Sequence, residues 1–283
     1  MYEVHGRVRR SLGKVTPELV AEKMKHDAGR QALKNRIKSL QKRLDGMAPV
    51  NRALGLGRMP KLAARILREL DRVSLLGSHV IVAGTNALYA YETADYVATM
   101  DTDLLWDTRQ SLLLATTGVR REGIMGILRR VDKSFVADFG FNAKNDEGYI
   151  VDLLCPETDD FTTMKIDADL EATPMAGAQW LLEAPQFEQT IIGEDGLPLR
   201  IVVPEPRTFA LHKLWLSHRD DRSALKRPRD ETHACLVAEL VRVYLRKPFT
   251  TNDMPWLPKE LRALIKEVML KKNSSSSEAN RGG

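Results

Sequence analysis

Asp101 and Asp103 stand two residues apart within Ala98-Thr-Met-Asp-Thr-Asp-Leu-Leu-Trp106. The segment has strand-like composition, and the two-residue period of a strand puts both carboxylates on one face. Adjacent carboxylates repel unless a cation sits between them, and hard divalent ions such as Mg²⁺ take oxygen ligands of this kind. Alone, the pair reads as an exposed strand end. Two further stretches change the balance. Upstream, the apolar run His79-Val-Ile-Val-Ala83 ends at Gly84-Thr85-Asn86 and enters a helix-like segment. A glycine turn there offers backbone N–H groups and a hydroxyl to a phosphate. Downstream, Asp152 stands between apolar neighbours in Gly148-Tyr-Ile-Val-Asp-Leu-Leu154, and a carboxylate in such a strand is costly unless paired or metal-bound.

Other chemistry-bearing residues read more plainly. His212 and His218 are six apart, which is not the spacing of a helical zinc pair, and His233 and Cys235 have no accompanying ligand pair. Asp107 follows the Asp-x-Asp pair closely and is a reserve metal candidate. Trp106, Tyr89 and Tyr91 could stack on a base but read first as packing. Arg207, Arg219, Arg222, Lys226, Arg227 and Arg229 form a basic cluster, some members of which could touch phosphates while others pair with Asp220, Asp221 and Asp230.

These groups need a scaffold. A helix is expected over 17–46, with Thr16 as N-cap, Pro17 in the first turn, and Gly46 and Pro49 ending it. Its Leu33, Ile37, Leu40, Leu44 and Met47 recur at steps of four and three, which is an amphipathic stripe expected to pack on the body. A second basic helix is expected over 60–75. Strands are expected at 79–83, 99–106, 134–142 and 149–154, with a hairpin over 188–203 turning at 194–196. Helical segments follow at 207–219, 228–246 and 259–271. The pattern gives an α/β (α+β) class with a mixed sheet of four to six strands and flanking helices.

The 283 residues carry a formal charge of +5, but residues 1–75 hold 18 basic and 7 acidic side chains. That net of +11 faces a body of opposite sign and suits a polyanion. Two cysteines, Cys155 and Cys235, exclude a disulfide framework. No apolar run reaches the roughly 18 residues that cross a membrane, and the first residues lack a leader's apolar core. A cytoplasmic protein is the expectation. The expected organisation is a basic helical segment at 1–75, a catalytic domain at 76–205, a helical segment at 206–271 and a low-complexity tail at 272–283. The oligomeric state is open.

Gly84-Thr85, Asp101-x-Asp103 and Asp152 together resemble the nucleotidyltransferase (polymerase-beta-type) superfamily. GLGRMP (55–60), GTNALYAYE (84–92), ATMDTDLLWD (98–107), NDEGYIVDLL (145–154), PEPRTFALHKLWLSHR (204–219) and LKRPRD (225–230) extend the resemblance to a bacterial family of nucleotidyltransferases whose substrate is uncharacterised. Thr85 keeps the hydroxyl of the superfamily's usual Gly-Ser but adds a methyl, and Asn86 is not small. The resemblance implies that Asp101, Asp103 and Asp152 hold two Mg²⁺ (or Mn²⁺) ions, and that Asp152 accepts the proton of an attacking hydroxyl. It implies that Gly84, Thr85 and Asn86 hold the β- and γ-phosphates of an NTP, and that Lys213 reaches the triphosphate from the helix after the sheet. The acceptor is open: an RNA such as tRNA fits the +11 segment, and a protein hydroxyl or a small molecule are the other candidates. The alternatives are a non-catalytic nucleic-acid-binding protein on this scaffold, a toxin-like nucleotidyltransferase with a protein partner, and an adaptor dimerising through 33–47.

Overall fold

The computed structural model describes residues 2–5, 8–11, 16–93, 111–116, 123–138, 142–157, 164–165 and 170–271, with side chains described over 16–92, 114–115, 123–138, 142–157 and 170–271. Its contacts group into two units, Met1–Val50 and Asn51–Gly283.

The first unit holds an antiparallel hairpin, β1 (Tyr2–His5) and β2 (Val8–Ser11), and most of helix α1 (Pro17–Ala53). The expected start holds: the Leu19 N–H donates to the Thr16 hydroxyl at 3.3 Å, as an N-cap should. The expected stop does not. α1 runs through Gly46 and keeps Pro49 inside, within four residues of its last residue Ala53, where the missing donor and the ring's clash fall on the final turns. It ends instead at Gly55, where φ is +66°. There the Gly55 N–H donates to the Arg52 carbonyl and the Leu56 N–H to the Asn51 carbonyl, the two bonds of a Schellman stop. Leu33, Ile37, Leu40, Leu44 and Met47 are exposed, where the pattern predicted a covered stripe.

The second unit begins with α2 (Lys61–Arg72), whose Ala63, Ala64, Ile66, Leu67 and Leu70 are buried. The Lys61 N–H donates to the Glu194 carboxylate at 3.1 Å, placing negative charge at the helix N-terminus. Then come β3 (Val80–Val82), a 3₁₀ turn at Gly84–Ala87, α3 (Leu88–Thr93), β4 (Ser111–Thr116) and α4 (Ile124–Val131). Strands β5 (Val136–Asp138), β6 (Asn142–Lys144), β7 (Ile150–Pro156), β8 (Met164–Lys165) and β9 (Glu171–Met175) follow. After α5 (Ala178–Glu183), β10 (Gln186–Ile192) and β11 (Pro198–Pro204) make the expected hairpin. The chain closes with α6 (Pro206–His218), α7 (Arg227–Leu240), a π turn at Val241–Leu245, α8 (Lys259–Arg262) and α9 (Ile265–Leu270).

The mixed α/β class and flanking helices are as expected, and among the described residues the sheet has seven strands against the four to six anticipated. The main path runs β3-β4-β7-β6-β5, with β9 added to β7 and β8 to β9. β4 lies antiparallel to β3 and parallel to β7, and it was not foreseen. Its Leu112-Leu113-Leu114-Ala115 run has neither strand nor helix period, in keeping with burial of the successive residues Leu114 and Ala115 on opposite faces. The expected strand at 99–106 lies outside the described residues. α2 and α6 lie in the same unit as the sheet.

Arg58 links two of the sequence motifs, pairing with Glu92 at 2.8 Å. Glu92 is largely buried, and burial pushes its carboxyl above the usual range while Arg58 opposes the shift. Arg58→Gln removes that opposition. A carboxyl whose folded pKa is raised costs stability as pH rises through it, so the variant should lose more stability at pH 8 than at pH 5. Urea unfolding at the two pH values measures this, and equal losses would contradict it.

Candidate active site

Three chain segments meet at a cavity of about 450 Å³. The first is the exit of β3. Gly84 has φ +63°, in the left-handed region that glycine enters without strain. This lets the extended backbone at Ala83 turn directly into the 3₁₀ turn. Gly84, Thr85 and Asn86 all line the cavity.

The second segment is β7. Val151 and Leu153 are buried on its apolar face, so alternation presents Asp152 on the other. Asp152 lies opposite Leu113 of β4 and Asn142 of β6. It is half-buried, and among the described residues no hydrogen bond or ion pair engages it. Burial pushes its carboxyl above the usual range, with the positive charge of Lys226 acting against that shift. Among the described lining residues Asp152 is the one carboxylate.

The third segment is the α6–α7 pair. α6 starts sharply because Pro206 sits in its first turn and Glu205 caps it, accepting from the N–H groups of Arg207 at 2.9 Å and Thr208 at 3.1 Å. Eleven of its residues are buried, so its polar side chains need internal partners. Lys213 donates to the Asp230 carboxylate at 2.7 Å, and Arg222 donates to the other Asp230 oxygen at 2.7 Å. Burial alone would raise Asp230, yet the two cations hold it below the usual carboxylate range. Burial pulls Lys213 below its ordinary value, and Asp230 opposes the pull. Lys213, Arg222, Lys226 and Arg229 line the cavity, making one wall cationic.

His212 also reaches the cavity, but as part of the packing. It is fully buried, and desolvation drives its pKa down to about 3, so it is a neutral imidazole donating from Nε2 to the Ala176 carbonyl at 3.3 Å. Its ring meets Trp180 and Trp215. The turn against it must be glycine. Gly177 has φ +73°, and a Cβ there would stand 3.0 Å from His212 and 2.8 Å from Trp180. His218 lies apart, beside Glu267.

The sequence-derived candidates Gly84, Thr85, Asn86, Asp152 and Lys213 thus share one cavity. Asp101, Asp103, Asp107 and Trp106 lie outside the described residues. Tyr89 and Tyr91 are core residues, and Tyr91 donates to the Pro204 carbonyl at 2.8 Å. In the basic cluster, Arg219 pairs with Asp221 and Arg227 donates to the Asp220 carbonyl. Thr173, Pro174 and Met175 of β9 were not anticipated in the lining, and nothing in their composition marks them as more than an ordinary strand.

A family model described as "Nucleotidyltransferase" matches residues 61–255, well over half of the chain. The chain belongs to this nucleotidyltransferase family. The matched range of the nucleotidyltransferase includes all three segments of the cavity and agrees with the sequence resemblance. No curated protein and no solved structure matches the chain. No helix among the described residues of this nucleotidyltransferase is long and apolar enough to cross a membrane.

Proposed function

We propose that the enzyme transfers a nucleoside monophosphate from an NTP to an acceptor hydroxyl in a metal-dependent reaction. The observation that carries this reading is the convergence on one cavity of the Gly84 turn, the Asp152 carboxylate and the cationic wall. The acceptor oxygen attacks the α-phosphorus, and the bond from that phosphorus to the β-phosphate oxygen breaks. Pyrophosphate leaves, and the hydroxyl proton passes to Asp152. Backbone N–H groups at Gly84–Asn86 and the Thr85 hydroxyl bind the β- and γ-phosphates. Lys213, held by Asp230, and Arg222 oppose the triphosphate charge.

The residues present suit a divalent ion. Asp152 is a hard oxygen donor facing the cavity, raised by burial and relieved by a nearby cation. Asp101, Asp103 and Asp152 would hold Mg²⁺ or Mn²⁺. A bound ion of this kind supplies charge neutralisation on the triphosphate and stabilises the leaving oxygen.

RNA is the acceptor proposed, on the strength of the +11 charge of residues 1–75. The test is incubation with each α-labelled NTP, Mg²⁺ or Mn²⁺, and total RNA or protein. Label should enter RNA and should disappear with Asp152→Ala. Equal labelling by the variant would defeat the proposal. Single-stranded RNA binding should weaken about tenfold between 50 and 200 mM salt if two or three phosphates are contacted. Salt-insensitive binding in a filter assay would remove the electrostatic role.

A further inference from the structure

Helix α1 carries an apolar row that neither the nucleotidyl-transfer chemistry nor RNA binding uses. Leu33, Ile37, Leu40, Leu44 and Met47 are each 40–63% exposed. At about 100° per residue they fall within about 80° of one another, a narrow seam of the coiled-coil kind rather than a broad core-facing stripe. Arg30 and Lys34 flank the seam on one side, and Arg36 and Arg43 on the other. Between residues 28 and 44 there are six basic side chains and no acidic one.

We infer that this seam is half of a coiled coil whose other half is an acidic amphipathic helix from a different protein. An exposed apolar row on one helix is costly in water and marks an interaction surface. Phosphates alone have no use for it, and Lys38 and Lys42, on the opposite side of α1, remain available to nucleic acid. A second copy fits poorly. Arg30 stands one heptad before Ile37, so parallel pairing in register brings Arg30 against Arg30. Antiparallel pairing brings Arg36 against Arg43. Carboxylates at the flanking positions of a partner would pair with these arginines and Lys34, which is how flanking charges select partners in coiled coils.

The test uses the full chain and a synthetic three-heptad peptide with Ile at a, Leu at d and Glu at e and g, together with its counterpart bearing Lys at e and g. Fluorescence anisotropy should show micromolar binding of the Glu peptide and at least about tenfold weaker binding of the Lys peptide. R36E/R43E should invert that order, and L40D/L44D should remove binding of both. The charge-reversed variant keeps the seam intact, so the test survives if L40D/L44D folds poorly. Equal affinity for the two peptides, or no inversion by R36E/R43E, would overturn the inference. So would a self-dimer in sedimentation that L40D/L44D abolishes, or RNA retention lost in L40D/L44D when no peptide binds.

Discussion

Asp152→Asn is expected to lower nucleotidyl transfer by about 10³-fold, in line with the loss of a group that stabilises transition-state charge, without weakening the metal-free fold. The substitution keeps the shape of the side chain and removes its charge and its basicity. Asp152 is raised by burial, so the native state binds its proton more tightly than the unfolded chain does. The sign follows: the wild type loses stability as pH rises from the ordinary carboxylate range through the raised value. Asparagine has no such loss. In EDTA at pH 8 the variant should therefore melt no lower than the wild type, and its melting temperature should depend less on pH. Added Mg²⁺ should raise the wild-type melting temperature by mass action and leave that of the variant nearly unchanged. Retained transfer would remove Asp152 from the chemistry. A large drop in melting temperature in EDTA would make it a structural residue instead.

The readable part of this site was the part set by local chemistry. Gly84 was legible because a glycine between an apolar run and a helix-like segment offers backbone N–H groups to a phosphate, and its φ of +63° is a conformation that glycine enters without strain. Asp152 was legible because a lone carboxylate in an apolar strand demands an explanation, and the β7 alternation supplies the face it occupies. The helical segment expected at 207–219 corresponds to α6, whose cap by Glu205 only the structure shows. What the sequence hid was long-range. Arg58 and Glu92 lie in separate motifs, and only the fold brings them together. Lys213 read as a triphosphate ligand on the helix after the sheet, with nothing to indicate a carboxylate partner. Its partner Asp230 is seventeen residues away on the next helix, and no periodicity connects them. β4 was hidden because burial on both faces, seen at Leu114 and Ala115, replaces alternation with an unbroken apolar run. Pro49 does not mark the helix end because the backbone of α1 closes in a Schellman stop six residues later.

Asp230→Ala is expected to cost about 3–5 kcal/mol of stability, the range for removing one partner of a buried ion pair. The Asp230 side chain is fully buried and holds two cations. Their fates differ once it is gone. The Arg222 side chain is 24% exposed and can turn toward water, whereas that of Lys213 is 8% exposed and its ammonium sits 5.8 Å over the Phe209 ring. Left without its carboxylate, Lys213 is a buried charge whose pKa, already lowered by desolvation, falls further. A base with a depressed folded pKa is penalised most where it is still protonated, so stability recovers as pH rises through that value. The variant should thus be further below wild type at pH 6 than at pH 9. Lys213→Met in the same background removes the stranded charge and should restore much of the loss, while nucleotide affinity stays low because the cavity wall has lost a cation. Urea titration of the single and double variants at both pH values measures the coupling. A loss under about 1 kcal/mol with no pH dependence would show that Asp230 does not hold Lys213 in place, and the cationic wall would then need another support.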